Sequence, residues 1–473
     1  MRAPGRCHLT RSTRGGWRAI GSNGSRPCSR SSLSARRRTD TGMSRVVNRT
    51  AGTTQGDSAI AAPRSHHDDL LRAMRCRPVH DSPAECSLRS ERSSKSIHSV
   101  ASMTVKRVLI VGGGIAGRSL AVALRGGPWQ VELVERDPGR SPLGAGLAVQ
   151  PNAMRALYDL GVGAAVEEAG AAIHRFEYRD QQGSLLCDID LDDLWGGLAP
   201  FVGITRSRLH NALLDHAPSE RRRSATSVRQ QNGQVSVTFD DATVVDYDLV
   251  IGADGINSAM RHSGIDHCRP VYGGQMVWRS IAPVTSASPH AVQLWLGRDR
   301  FFGLCPVGAG LTYGFGNITG ARFRDPTAGR RQRLGEAFAD FGAPVRDYLT
   351  AIADDQDIHC SPIEWLPNVA WRNGRLVLIG DAAHAMPPMM GQGGCMAIED
   401  ALALGNQLRR ADNIATALDT FVARRAPRIN WVRQQSLALT NLIQLPVDVR
   451  NHGLQERGTR AFYDRYRPLT DPA

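Results

Sequence analysis

Three short segments of this 473-residue chain set glycines and acids at spacings that chemistry can use. The first is Gly112-Gly113-Gly114-Ile115-Ala116-Gly117, a complete Gly-x-Gly-x-x-Gly. It follows the β-branched run Val105–Val111 and precedes Ser119–Leu124, an apolar stretch compatible with a helix. A second strand-like run, Gln130–Glu135, ends on an acid. Gly112 permits the tight turn, Gly114 lets a pyrophosphate reach the backbone, and Gly117 lets helix and strand pack closely. The helix N-terminus then offers free N–H groups and the positive end of its dipole to phosphate oxygens. Glu135 stands 18 residues after Gly117, where a carboxylate can accept both hydroxyls of an unphosphorylated ribose. This is dinucleotide-binding chemistry, and FAD and NAD fit it equally. Its expected contacts are Gly112, Gly114, Ile115, Ala116, Gly117, Glu135 and Arg136.

The second segment, Asp248-Leu-Val-Ile-Gly-Ala-Asp254-Gly255-Ile-Asn-Ser258-Ala-Met-Arg261, is a strand running into an acidic turn. The third runs Leu376-Val-Leu-Ile-Gly380-Asp381-Ala-Ala-His384-Ala-Met-Pro387-Pro388-Met389-Met390-Gly391-Gln392-Gly393-Gly394-Cys395. In this order the three segments resemble the motifs of the class A flavoprotein monooxygenases, the para-hydroxybenzoate hydroxylase family, over about residues 104–435. The resemblance implies FAD as the resident cofactor. It implies that Asp254 belongs to the family's DG motif, that Asp381 contacts the ribityl chain, and that the helix opening at Gly391, Gln392, Gly393, Gly394 and Cys395 faces the flavin ring. Backbone amides there can stabilise negative charge on a reduced flavin. Gly144–Ala153, with Ala148, resembles the family's loop beside the flavin. Ile204–Leu213 resembles its helix whose Arg, here Arg206, lies near the FAD, and Val228 matches a strand position near the adenine.

No second Gly-x-Gly-x-x-Gly occurs, so NADH or NADPH is expected only as a transient co-substrate. The resemblance implies that NAD(P)H reduces FAD, O2 adds at flavin C4a, and the hydroperoxide hydroxylates the substrate, the cofactor carrying the hard chemistry. Arg261, Tyr272 and His384 are the candidates for a catalytic role. Trp278, Pro388, Met389 and Met390 are the expected substrate wall. The pattern is nearest to urate hydroxylases and to tetracycline- and phenazine-type monooxygenases. Urate hydroxylases carry an Asp where this chain has Met389, and the Pro-Pro-Met-Met wall is apolar and deformable. A planar, largely apolar aromatic or polyketide-like substrate is therefore expected. Two other readings stay open: an FAD-dependent reductase without oxygen insertion, and a non-catalytic flavin-binding protein. The WxWxIP motif of flavin halogenases is absent.

Positioning these turns requires an α/β fold. The expectation is a Rossmann-like FAD-binding domain of the GR2 type, interleaved with a smaller, mainly antiparallel β-sheet substrate domain. The FAD-binding domain would comprise residues 103–173, 204–262 and 360–435, and the substrate domain 174–203 and 263–359, with a helical tail at 436–473. Phe176–Asp190 and Met276–Thr319 carry the strand-like runs of the second domain. Gln332–Ala353 and Ala411–Gln435 read as helices.

The remaining 1–102 explain the bulk charge. The chain has 58 basic and 45 acidic residues, a net of +13. Residues 1–102 hold 19 and 7 of these, so 103–473 is close to neutral, with 39 and 38. The Arg/Ser-rich leader lacks periodicity and is expected to be disordered, with Met103 the expected start of the working chain. Nucleic acid is therefore not an expected partner, whatever the bulk charge suggests. No run approaches the ~18 apolar residues of a membrane span, and no apolar secretory signal is present. A cytoplasmic monomer or homodimer acting on a small molecule is expected. Nine cysteines at irregular spacing, without a CxxC and with no His pair at metal-ligand spacing, predict free thiols and no metal site.

Overall fold

The computed structural model describes residues 106–137, 146–284 and 288–473. The leader 1–102 and the start of the flavin-side loop at Gly144 lie outside these residues. A six-stranded sheet follows from the first strand, Lys106–Val111, which is buried on both faces. Its strand order is Arg372–Asn373, Leu376–Leu378, Leu249–Gly252, Lys106–Val111, Trp129–Glu135, Glu220–Arg222. All neighbours are parallel except the first pair. Alternation along the central strand divides the core. Val108 and Ile110 pack under the helices Ile115–Ala123 and Gly393–Arg410. Leu109 and Val111 pack under an antiparallel meander of Ala225–Gln231, Gln234–Phe239 and Val244–Tyr247. A continuous apolar strand is what burial on both faces requires.

The second sheet has seven strands in the order His359–Trp365, Val271–Ala282, Thr312–Thr319, Arg300–Pro306, Ala291–Leu296, Arg175–Asp180, Leu185–Asp190. It is antiparallel except where Ala291–Leu296 meets Arg175–Asp180. One face, with Trp278, Trp295, Phe302 and Leu304, packs against the helices Arg330–Ala337 and Ala343–Ala351. The other, with Phe301, Cys305 and Leu296, faces Met386, Met390 and the C-terminal helices. The chain crosses between the two sheets repeatedly, so both are built from segments distant in sequence.

The structure moves several expected boundaries. His359–Trp365 pairs with Val271–Ala282, so the boundary at 360 falls inside a strand of the second sheet. The helix expected over 332–353 is two helices, broken where Gly342 and Pro344 restart the chain. Helix Ile414–Ile443 runs through the expected tail boundary at 436 and carries Pro427 within it. A further helix, Val447–Tyr466, packs against Leu185–Asp190. No helix among the described residues is long and apolar enough to cross a membrane.

Candidate functional site

A cavity of about 400 Å³ opens at the carboxyl ends of the central parallel strands. Open α/β sheets bind ligands at this end. Gly112, at φ +108°, makes the turn and donates its N–H to the Val134 carbonyl at 2.8 Å. A Cβ at Gly117 would lie 1.9 Å from the Gly112 carbonyl oxygen, whereas one at Gly114 would meet nothing within 4 Å. Gly112 therefore makes the turn, Gly117 permits the close packing, and Gly114 leaves open space beside the backbone. Gly112, Gly114, Ile115, Ala116, Glu135 and Arg136 line the cavity, and Gly117 lies behind it. Glu135 departs from expectation in one respect. Its Oε2 accepts the Gly113 N–H at 2.7 Å and its Oε1 the Asp137 N–H at 3.0 Å, which leaves further lone pairs for a ligand hydroxyl.

Asp254, Arg206 and Asp381 reach the cavity from three other segments. Asp254 Oδ2 accepts the N–H groups of Ala259 and Met260 at 2.7 and 3.1 Å. Its Oδ1 is buried without a partner, and burial raises its pKa against the hydrogen bonds from Ser258 and the helix backbone. Arg206 opens helix Arg206–Leu214 and keeps a buried Nε without a partner. Burial lowers its pKa, the Asp381 carboxylate opposes this, and Arg279 adds to it. Gly393 and Gly394 line the cavity at the start of helix Gly393–Arg410. Two helix N-termini, an open glycine and orphaned buried polar atoms on an acid and an arginine fit a large polar dinucleotide such as FAD.

Behind this wall the third segment is held by a buried polar network. Gln392 donates to Gln150 Oε1 at 2.7 Å and to Asn152 Oδ1 at 3.1 Å. Asn152 donates to Glu399 at 2.9 Å. The fully buried Arg425 spans Glu399 and Asp400, with both contacts at 2.8 Å. Gly391 takes φ +66° to allow the turn. Cys395 is buried, which pushes its thiol up to about 12, and it lies 3.7 Å from the Ala148 carbonyl. Gln392, Cys395, Ala148 and Gly391 thus support the lining rather than form it.

Several expected residues lie elsewhere. Arg261 is fully buried and donates to the carbonyls of Ala382, Ile256 and Cys268 at 2.8, 2.6 and 3.3 Å. It ties the second motif to the third and offers no free group to a ligand. Tyr272 donates its hydroxyl to the Gly320 carbonyl at 2.8 Å, under Arg322. His384 is buried against Asp400 and Trp371. Trp278 packs on the helix-covered face of the second sheet and donates to Asp325 at 3.0 Å, so it is not a wall of the flavin side. Strand alternation sends its neighbour Arg279 to that side instead. Val228 packs against Gly264, while Arg223, Ser224 and Ala225 from the same segment line the cavity. Pro388 is exposed, Met389 is half-buried, and Met390 is buried with its carbonyl accepting from Gln150 and Tyr466.

The sequence reading missed Arg223, Asn257 and Leu147 among the lining residues. Arg223 sits in a run of three arginines without a motif, and the pairing of Glu220–Arg222 beside Glu135 brings it in. Among the described residues all five cysteines are free, and no group of three or more His, Cys, Asp or Glu could hold a metal.

Residues 106–436 match the family model described as FAD binding domain. The chain belongs to the class A FAD-dependent monooxygenases. It is 33% identical over 384 residues to the salicylate hydroxylase of Pseudomonas putida, covering 72% of this chain and 86% of that protein. It is 32% identical over 329 residues to the aurachin C monooxygenase/isomerase of Stigmatella aurantiaca, covering 68% and 86%. The crystal structure of Klebsiella pneumoniae HpxO complexed with FAD and uric acid superposes with a TM-score of 0.71 at 25% identity, over 77% of this chain and 96% of that one. This monooxygenase thus uses FAD, and its fold joins a Rossmann-like FAD domain to a sheet-rich substrate domain.

Proposed function

We propose that this monooxygenase hydroxylates a planar aromatic or polyketide-like small molecule at the expense of NADH or NADPH. The first sheet with its helices then forms the FAD-binding domain and the second the substrate domain. The carrying observation is the convergence of Gly114, Asp254, Asp381 and Gly393 on one cavity, while Met389 and Met390 pack against a face of the second sheet. When bound, FAD supplies hydride acceptance and oxygen activation. The chain holds it in place: the Gly114–Ile115 amides take the pyrophosphate, Glu135 the ribose, Asp381 the ribityl chain, and the Gly393–Gly394 amides negative charge on the ring. The methionine wall excludes water and adapts to flat apolar surface. One relative is named for salicylate and one similar structure holds uric acid, both planar molecules. Met389 in place of the Asp of urate hydroxylases weighs against urate.

The test is an oxygen electrode with a panel of phenols, quinolones and urate, following NADH and NADPH oxidation together. Substrate-dependent O2 consumption with hydroxylated product from phenols or quinolones is expected. NAD(P)H oxidation with reduced product and no O2 uptake would identify a reductase, and tight FAD without NAD(P)H oxidation a non-catalytic flavin protein. Hydroxylation of urate alone overturns the substrate class.

A further inference from the structure

The flavin-side face of the second sheet carries polar side chains that the fold leaves unsatisfied. Val277 stands opposite Asn317 on one neighbouring strand and opposite Ser361 on the other. Arg279, two residues along, shares that face, opposite Phe315. The same face presents Phe315, Tyr313 and Cys305 to Met386, Met389 and Met390. Asn317 is 1% exposed, and both its Nδ2 and its Oδ1 lack a partner. Buried carboxamides are ordinarily satisfied, and one that is not points to a missing group.

Arg279 is half-buried and donates Nη1 to the Ser361 hydroxyl at 2.8 Å. Among the described residues no carboxylate pairs with it. The acids on adjoining segments are already engaged, Glu364 by Arg322 and Asp325 by Arg330 and Arg333. Its charge acts, among others, on two neighbours, the first of which lines the cavity. One is Arg206. The other is Tyr313, whose pKa burial raises and Arg279 opposes. The Tyr313 ring packs on Gly146, one residue before Leu147 of the cavity lining. A half-buried guanidinium without a counter-charge is a preformed seat for an anionic oxygen.

We propose that Arg279 and Asn317 recognise the substrate, and that the substrate is a planar aromatic bearing an ionised oxygen with a hydrogen-bonding group beside it. This rests on the hydroxylation reading and narrows it: the apolar methionine wall takes the ring, and the sheet takes the acid. Arg279 pairs with the anion, and the Asn317 carboxamide donates to or accepts from the adjacent group.

The test titrates the full-length, FAD-loaded protein and follows the flavin absorbance. The probes are salicylate, salicylamide and 2-methoxybenzoate, together with 4-hydroxyquinoline-2-carboxylate and its methyl ester. Salicylamide and the ester remove the carboxylate, and 2-methoxybenzoate removes the phenol, so the set tells which oxygen is read. The acids are expected to bind at least tenfold more tightly than their neutral counterparts. Arg279→Met should collapse that gap, Arg279→Lys should keep part of it, and Asn317→Leu should weaken acid and neutral members together. Equal binding of acid and neutral members in the unmodified protein overturns the proposal and needs no variant to fold. Failure of both acids to bind, or an unchanged gap in Arg279→Met, overturns it as well. Labelled O2 separates the two readings. An acid preference without label in the product defeats hydroxylation alone, and labelled product without an acid preference defeats this inference alone.

Discussion

His384 Nε2 donates to Asp400 Oδ2 at 2.6 Å, and the same oxygen accepts the Gly380 N–H at 3.0 Å. One buried carboxylate on helix Gly393–Arg410 thereby holds the turn that presents Asp381. Burial by itself raises a carboxyl pKa, but here His384 and Arg425 outweigh it and hold Asp400 down to about 2, from 3.8. A folded-state value below the unfolded one contributes stability that is complete above pH 4 and is lost as the pH falls through 2. The shift corresponds to roughly 2 kcal/mol. Asp400→Asn should lower stability at pH 7 and flatten the loss between pH 4 and 2. Far-UV circular dichroism and flavin release followed from pH 5 to 2 check this. An unchanged acid limb in the variant would refute it.

A second acid step should precede that one. His210 is pushed down to about 4 by burial and by the Arg118 and Arg206 charges, with Glu135 and the Gly113 carbonyl opposing. The unfolded imidazole takes a proton near pH 6.5, before the folded one does. Its contribution is therefore whole above pH 6.5 and is lost as the pH falls through 4. His210→Gln should remove the decline in thermal midpoint over that window and leave the later Asp400 step in place. A decline of the same slope in the variant counts against His210.

What could be read from the sequence depended on distance along the chain. The glycine turn was legible because Gly112, Gly114 and Gly117 act on one another within a single turn and the next strand. The third segment was legible for the same reason. Trp278 and Arg279 show the limit. They are adjacent, and strand alternation sends one to the helices and the other toward the flavin side. Only the register with Thr312–Thr319 and the packing of each face decide which is which. Val228 failed similarly. Its segment does reach the cavity, but at Arg223–Ala225, just past the end of the parallel pairing at Glu135. Arg261 looked like chemistry because it ends a motif. In the fold its guanidinium is consumed by three carbonyls.

That placement of Arg261 makes a distinction between structure and chemistry measurable. It bridges Ile256 in the second motif and Ala382 in the third. Removing a charged donor from a buried carbonyl costs about 1–3 kcal/mol per group left unsatisfied. Arg261→Met should therefore lower the thermal midpoint and the fraction of protein carrying FAD. The turnover rate per bound flavin should stay within about twofold. A variant with full FAD and a large drop in turnover would restore Arg261 to the reaction.

The same substitution at two glycines of one motif should give opposite results. At Gly117 a methyl group would stand 1.9 Å from the Gly112 carbonyl oxygen, inside the helix–strand contact. Backbone must move on one side or the other, at about 1–3 kcal/mol or more. Gly117→Ala should therefore lower the stability of the apoprotein as well as its FAD content. At Gly114, with φ −74°, the backbone suits any residue and a Cβ meets no protein atom within 4 Å. Gly114→Ala should leave the apoprotein's thermal midpoint near that of the unmodified chain, because nothing in the chain is displaced. Its FAD affinity should still fall at least tenfold, because the open space at Gly114 is where the pyrophosphate approaches. Apoprotein melting and FAD titration on both variants decide the matter. Equal destabilisation of the two apoproteins, or full FAD affinity in Gly114→Ala, would show that this glycine serves the turn and not the ligand.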